Sequence, residues 1–205
     1  MKTLDYIFLA RPVLLGPVWT IFLLGAFHAS PPGYLPSEVA QNINIIRFAA
    51  VFITFSLLVS SIYVFNQIMD LDSDRHNKKL FILADGIVSE SSAIKYALLL
   101  TFIPLITAPF MGHRMLTVYA ASALTGVLYN FRPFLFKNRP VSGLLSNMAG
   151  HGFLVFFAGY LTIRPEASFM KMAEQALPYA LAVGSVFLCT TIPDIKGDER
   201  YGKIT

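Results

Sequence analysis

Charge is missing from long stretches of this chain, and that constrains its fold more than any other feature. No Asp, Glu, Lys or Arg occurs in 48–69, 96–112, 115–131, 140–163 or 175–193. A helix that crosses a bilayer needs about 20 mostly apolar residues, so each window is long enough or nearly so. A further apolar segment runs from about Tyr6 to His28 and is interrupted by Arg11. Only 14% of the residues are charged and 55% are apolar, whereas a soluble domain typically carries about 25% charge. A soluble bundle of such segments would have almost no polar surface to hydrate. The sequence therefore predicts an all-α, multi-helix transmembrane bundle. Its six spans are expected at 6–28, 45–69, 93–112, 114–131, 141–163 and 175–193, in one domain over 1–205.

The first segment does not read as a cleaved signal, because Asp5 and Arg11 spoil the charge layout and no A-x-A site follows. It is expected to be an uncleaved first helix. The single cysteine, Cys189, cannot form an intramolecular disulfide. Orientation follows from the basic residues. With a cytoplasmic N-terminus, only Arg47, Arg114, Arg164 and Lys171 of the 16 Lys and Arg residues face the opposite side, a clear positive-inside bias. The expectation is a multi-pass protein, of the plasma membrane in a bacterial or archaeal cell, among membrane lipids. The basic residues are spread over membrane loops and form no nucleic-acid motif, so no nucleic-acid partner is expected.

Two acidic clusters stand out. Asn66, Asp70 and Asp74 are spaced four apart, at the end of the second apolar segment. On a continuing helix that spacing drifts by only about 40° per step, so the three share a face while Asp72 points elsewhere. Asp194 and Asp198 repeat the spacing after the last segment. Carboxylates four apart on a helix repel one another, and a carboxylate at a helix C-terminus opposes the macrodipole. A bound cation relieves both penalties. Hard oxygen ligands beside basic residues suit Mg²⁺ bridging to phosphate, and two clusters on one membrane face could hold two metals across a diphosphate.

At this point the sequence resembles a known family, the UbiA-type intramembrane prenyltransferases. The N-x3-D-x3-D pattern of Asn66, Asp70 and Asp74 and the D-x3-D pattern of Asp194 and Asp198 are similar to that family's two motifs. Asn77 and Gly86 keep its spacing after the first motif, and Gly197, Gly202 and Thr205 keep it within the second. Tyr129, Pro133 and Lys137 resemble its tyrosine–proline–lysine stretch, and Arg11-Pro12 its first-helix Arg-Pro. Phe81 and Ile82 stand where the family often has Arg-Pro, which leaves Arg75, Lys78, Lys79 and Arg132 to supply charge there.

The resemblance implies Mg²⁺-dependent transfer of an isoprenyl group from a prenyl diphosphate donor to a hydrophobic aromatic or lipid acceptor. It implies one metal at Asn66, Asp70 and Asp74 and another at Asp194 and Asp198. Arg11, Arg75, Lys78, Lys137 and Lys196 become candidates for binding phosphate, and Tyr129 and Asn147 for lining the substrate site. Tyr63, Phe65 and Tyr129 lie at a depth where aromatic faces could shield an allylic cation, or they could be interfacial belt residues. Asn147 and His151, four apart in the fifth segment, could meet the acceptor; the reading favoured here is that they hydrogen-bond neighbouring helices. The family generally has nine helices, so this chain is expected to be C-terminally incomplete. The competing readings are a CDP-alcohol phosphatidyltransferase-like enzyme and a divalent-cation transporter. The chain lacks the contiguous motif of the former, and no carboxylate within an apolar window marks an ion path for the latter.

Overall fold

The computed structural model describes residues 2–30, 44–76 and 81–191, and these are helical with no strand among them. Helix α1 (Lys2–Leu9) leads through a 3-10 turn at Pro12–Leu14 into α2 (Leu15–Ala29). Next come α3 (Ile45–Met69) and the short helices α4 (Leu71–His76) and α5 (Phe81–Ala84). Then follow α6 (Glu90–Thr107) and α7 (His113–Asn130). Helices α8 (Pro140–Asn147) and α9 (Val155–Ile163) flank a π-helical segment at Met148–Leu154, and α10 (Phe169–Thr191) closes the described chain.

Local chemistry sets most boundaries. The Asn44 side chain accepts from the Arg47 N–H at 3.0 Å to start α3, and Ser89 accepts from the Ser92 N–H at 3.3 Å to start α6, both ordinary N-caps. Gly112, at φ 103, separates α6 from α7 in a conformation that disfavours other residues. Each predicted apolar segment forms helix. Five helical stretches are long and apolar enough to cross a membrane: Thr3–Ala29, Ile45–Met69, Glu90–Met111, Pro140–Ile163 and Phe169–Thr191. The expected span at 114–131 is the helix His113–Asn130 but is not among them. Freedom from charge is not the same as apolarity, and that window carries Thr, Ser, Tyr and Asn.

The first segment departs from expectation. It is not one helix over 6–28, because Arg11 adopts the left-handed region at φ 54 and ψ 57. Pro12 has no N–H to donate and disfavours a helical conformation for the residue before it. A non-glycine residue in that region costs about 1–2 kcal/mol, so partners must hold the break. The buried side chain of Gln67 does so, donating to the Leu9 carbonyl at 2.8 Å.

In lipid, apolar area alone does not drive helices together; close packing and interhelical hydrogen bonds do. Helices α2 and α9 pack backbone to backbone. A Cβ at Gly25 would collide with the Phe156 carbonyl, and one at Gly159 with the Phe22 carbonyl. Around this seam lies the main core, with Phe22, Phe55, Tyr119, Phe156 and Tyr160 almost fully buried. A second core gathers Leu9, Val64, Leu71, Ile82, Leu83, Val88 and Leu100. It ties α1, α4 and α5 to the ends of α3 and α6, and so anchors the segment carrying the first acidic motif. Large apolar side chains such as Val13 and Ile46 are exposed, as lipid-facing positions are.

Candidate active site

The polar residues of the first motif converge on one end of the bundle. Helix α3 ends at Met69, and the chain turns through Asp70 (φ -100, ψ 6) directly into α4. The Asp70 N–H donates to Asn66 O at 3.0 Å, and the Asp74 N–H to Asp70 O at 2.8 Å. Each four-residue step is thus closed by one helical hydrogen bond, a geometry that turns Asn66, Asp70 and Asp74 toward one side of the chain. Asp72 points away: its side chain is fully exposed, and Arg75 approaches it at 3.9 Å.

Asp70 caps the C-terminus of α3, where the macrodipole opposes a negative charge. Lys137 answers it from across the bundle, Nζ to carboxylate oxygen at 2.8 Å, with the lysine side chain 9% exposed and the aspartate 23%. Lys137 sits in a tight turn at Phe136–Asn138, stitched by Asn138 N–H to Leu135 O and Arg139 N–H to Phe136 O. Taking such a pair out of water is costly, and the lysine is worth keeping only where its charge serves a purpose.

Arg11 reaches the same place from the broken first segment. Its guanidinium lies within electrostatic reach of Asp74, Tyr63 and Asp70. The left-handed kink at Arg11 and the Gln67–Leu9 hydrogen bond shape the segment that carries this guanidinium. Gln67 also donates to Tyr63 O at 3.1 Å. Gln67 thus ties the backbone just before Arg11 to α3.

Deeper in the bundle the polar surface continues. Asn66 donates through Nδ2 to Asn130 Oδ1 at 3.0 Å. Tyr129 lies within electrostatic reach of Asp70, and its hydroxyl interacts with the Asn147 side chain. Asn147 also donates to the Gly143 carbonyl at 2.9 Å. Tyr63 Oη and His151 Nε2 are 2.9 Å apart, and their rings stack with centroids 5.9 Å apart. His151 lies in the π-helical segment, a form that recurs at functional sites. From Asp70 to Tyr63 this column rises about 10 Å into the membrane.

The structure thus brings together Asn66, Asp70, Asp74, Arg11, Lys137, Tyr129 and Asn147. It does not bring Arg75 to them: that side chain is exposed, faces Asp72 and donates to the Ala84 carbonyl at 3.3 Å. Lys78, Asp194, Lys196 and Asp198 lie outside the described residues. Gln67 and Asn130 are participants that sequence reasoning passed over. Both are amides in otherwise apolar surroundings, and the cost of a polar group in lipid was the available signal.

Among the described residues no group of three or more His, Cys, Asp or Glu could hold a metal by itself. Asp70, Asp74 and the Asn66 oxygen nevertheless suit Mg²⁺, which takes one or two carboxylates and fills its remaining positions with water and phosphate. The adjacent Lys137 and Arg11 are the counter-charges that such a phosphate would require.

The sequence pattern of the family described as the UbiA prenyltransferase family matches residues 14–205. Among curated relatives, the chloroplastic 2-acylphloroglucinol 4-prenyltransferase of Humulus lupulus is 28% identical over 186 residues, which cover 80% of this chain and 43% of that protein. The chloroplastic 2-acyl-4-prenylphloroglucinol 6-prenyltransferase of the same plant is 26% identical over 191 residues, covering 82% and 45%. The chain spans less than half the length of these relatives. Among solved structures, a UbiA homologue from Archaeoglobus fulgidus bound to DMAPP and Mg²⁺ aligns with a TM-score of 0.74 at 21% identity, over 97% of this chain and 67% of that one. A digeranylgeranylglyceryl phosphate synthase aligns with a TM-score of 0.76 at 22% identity, over 100% and 68%. At these identities the structural likeness establishes the fold.

Proposed function

We propose an activity from one premise: this chain belongs to the UbiA prenyltransferase family. It is an intramembrane prenyltransferase that moves an isoprenyl group from a prenyl diphosphate to an aromatic or lipid acceptor, with Mg²⁺ as cofactor. The observation that carries this reading is the pairing of Lys137 with Asp70 at 2.8 Å, beside Asn66, Asp74 and Arg11. Carboxylates for a cation and cations for a phosphate meet there at one membrane-facing end. The aromatic acceptors named for the plant relatives favour an aromatic compound as the first to test.

In this reading Asn66, Asp70 and Asp74 hold one Mg²⁺, and Asp194 and Asp198 hold a second. Bound Mg²⁺ supplies Lewis-acid stabilisation of the departing diphosphate. Lys137 and Arg11 bind the phosphate oxygens and take up the charge that develops as the allylic C–O bond breaks. Lys78 and Lys196 are further candidates for phosphate binding in this reading, as is the exposed Arg75. The bonding pair leaves with the diphosphate. The faces of Tyr63 and Tyr129 stabilise the positive allylic carbon, and the apolar helices around them exclude water that would otherwise capture it. The acceptor then forms the new bond and gives up a proton. The N-terminus and both acidic motifs face the cytoplasm, in line with the Lys and Arg distribution.

The test is to incubate membranes containing the protein with labelled prenyl diphosphates of several chain lengths and a panel of phenolic and glycerol-lipid acceptors, with and without Mg²⁺. A labelled prenylated product that requires Mg²⁺ is expected. Absence of product and of diphosphate release across the whole panel would reject the reading.

A further inference from the structure

An amide is a poor metal ligand unless something decides which way round it sits. Its oxygen and nitrogen ends have nearly the same shape, yet only the oxygen can face a cation; the NH2 end repels one. A carboxylate has no such problem, because either end presents an oxygen. Asn66 is the amide member of an otherwise carboxylate cluster, so its orientation has to be imposed.

The imposing group is on the neighbouring helix. Asn130, at the end of α7, is fully buried. Its Nδ2 donates to two backbone carbonyls, Gly126 O at 3.2 Å and Ile62 O at 3.4 Å. Carbonyl oxygens only accept, so a reversed Asn130 would set its own oxygen against both of them. Its Oδ1 must therefore point the other way, towards Asn66, whose Nδ2 donates to it at 3.0 Å. Reversing Asn66 would in turn set two oxygens against each other. The chain of constraint runs from the backbone of two helices, through one buried amide, to a second amide in the site. Asn130 is fully buried, so these pairings satisfy its amide and fix its orientation.

We propose that Asn130 is a positioning residue. It keeps the Asn66 oxygen turned away from α7, on the face shared with Asp70 and Asp74, so that this oxygen and not the amide nitrogen meets the cation. The inference rests on the metal–diphosphate reading given above and adds a residue that does not itself touch the ligand.

The test is a four-protein cycle on the full chain: the parent, Asn130→Ala, Asn66→Asp, and both changes together. The readout is Mn²⁺ bound in the presence of inorganic pyrophosphate, followed by electron paramagnetic resonance, with metal-free melting temperatures measured alongside. In the parent background Asn130→Ala is expected to weaken binding about tenfold, the scale of one well-placed hydrogen bond. In the Asn66→Asp background it is expected to cost nothing, or to improve binding, because a carboxylate needs no orienting and the Asn130 oxygen only repels it. Asn130→Leu, which fills the same volume without polar atoms, repeats the comparison if alanine leaves a cavity that unfolds the helix pair. Equal losses in both backgrounds would make Asn130 merely structural and overturn the proposal. No Mn²⁺ binding by the parent protein would instead reject the metal–diphosphate reading on which it rests.

Discussion

The two ends of this bundle use the same cations in opposite ways. At the end away from the acidic motif, Arg47 donates from Nη2 to Met111 O at 2.9 Å and to Leu161 O at 3.2 Å. Arg164 donates to the Ala29 carbonyl, and Arg114 is paired with Glu166. Several of these acceptors lie at helix C-termini, where carbonyls lack intrahelical partners and the dipole favours positive charge. Arg47 and Arg164 are caps there, committed to backbone that cannot move away. At the other end Lys137 and Arg11 face carboxylates of α3 and α4. Asp70 stands at the C-terminus of α3, where the helix dipole disfavours it. A cation paired with backbone completes a structure, whereas one paired with an ill-placed carboxylate can exchange partners when a metal and a phosphate arrive together.

That contrast can be broken experimentally. The largest effect is expected for Asp70→Asn: Mg²⁺-dependent transfer should fall by roughly 100- to 1000-fold, while the folded protein stays in the membrane with a melting temperature lowered by loss of the Lys137 pair. Asp72→Asn, on the exposed side, is the internal control and should stay within about twofold. Equal loss at the two positions would dissolve the distinction between the shared face and its flank. For Gln67→Leu a smaller effect is expected, on the order of tenfold in the KM for prenyl diphosphate. The variant leaves the Leu9 carbonyl without its side-chain donor and lets Arg11 drift, but it removes no charge. Steady-state kinetics that showed a pure kcat loss instead would argue against Arg11 as a phosphate contact. Arg47→Met should leave the rate per folded molecule unchanged and lower stability by about 2 kcal/mol, as two carbonyls lose a charged donor; thermal unfolding in detergent would record it. An Arg47→Met protein that was stable and inactive would erase the difference between the two ends.

How far the sequence revealed this molecule depended on the range of the interactions involved. The span 45–69 is the helix Ile45–Met69 to the residue, since the charge-free run 48–69 and the acids that end it need no outside partner to be read. The common face of Asn66, Asp70 and Asp74 was equally legible from spacing, and Lys137 from a resemblance. The kink at Arg11 was not. Pro12 hints at it, but its conformation is held by Gln67, 58 residues away from Leu9. Asn130 was missed for a related reason: its role depends on which carbonyls α3 and α7 bring beside it. The π-helical turn at Met148–Leu154 left no periodicity signal, because one extra residue in a turn hardly disturbs an apolar run.

The central claim is that a prenyl diphosphate is held at the Asp70–Lys137 end. It is tested most directly by photo-crosslinking the protein in membranes with a prenyl diphosphate analogue carrying a photoreactive group near the diphosphate. Mass spectrometry of the crosslinked peptides would then map the label. Mg²⁺-dependent label on the peptides holding Tyr63–Asp74 and Tyr129–Lys137, and lost in Asp70→Asn, is the predicted result. Label concentrated around Arg47, Met111 and Arg164, or indifferent to Mg²⁺ and to Asp70→Asn, would contradict it.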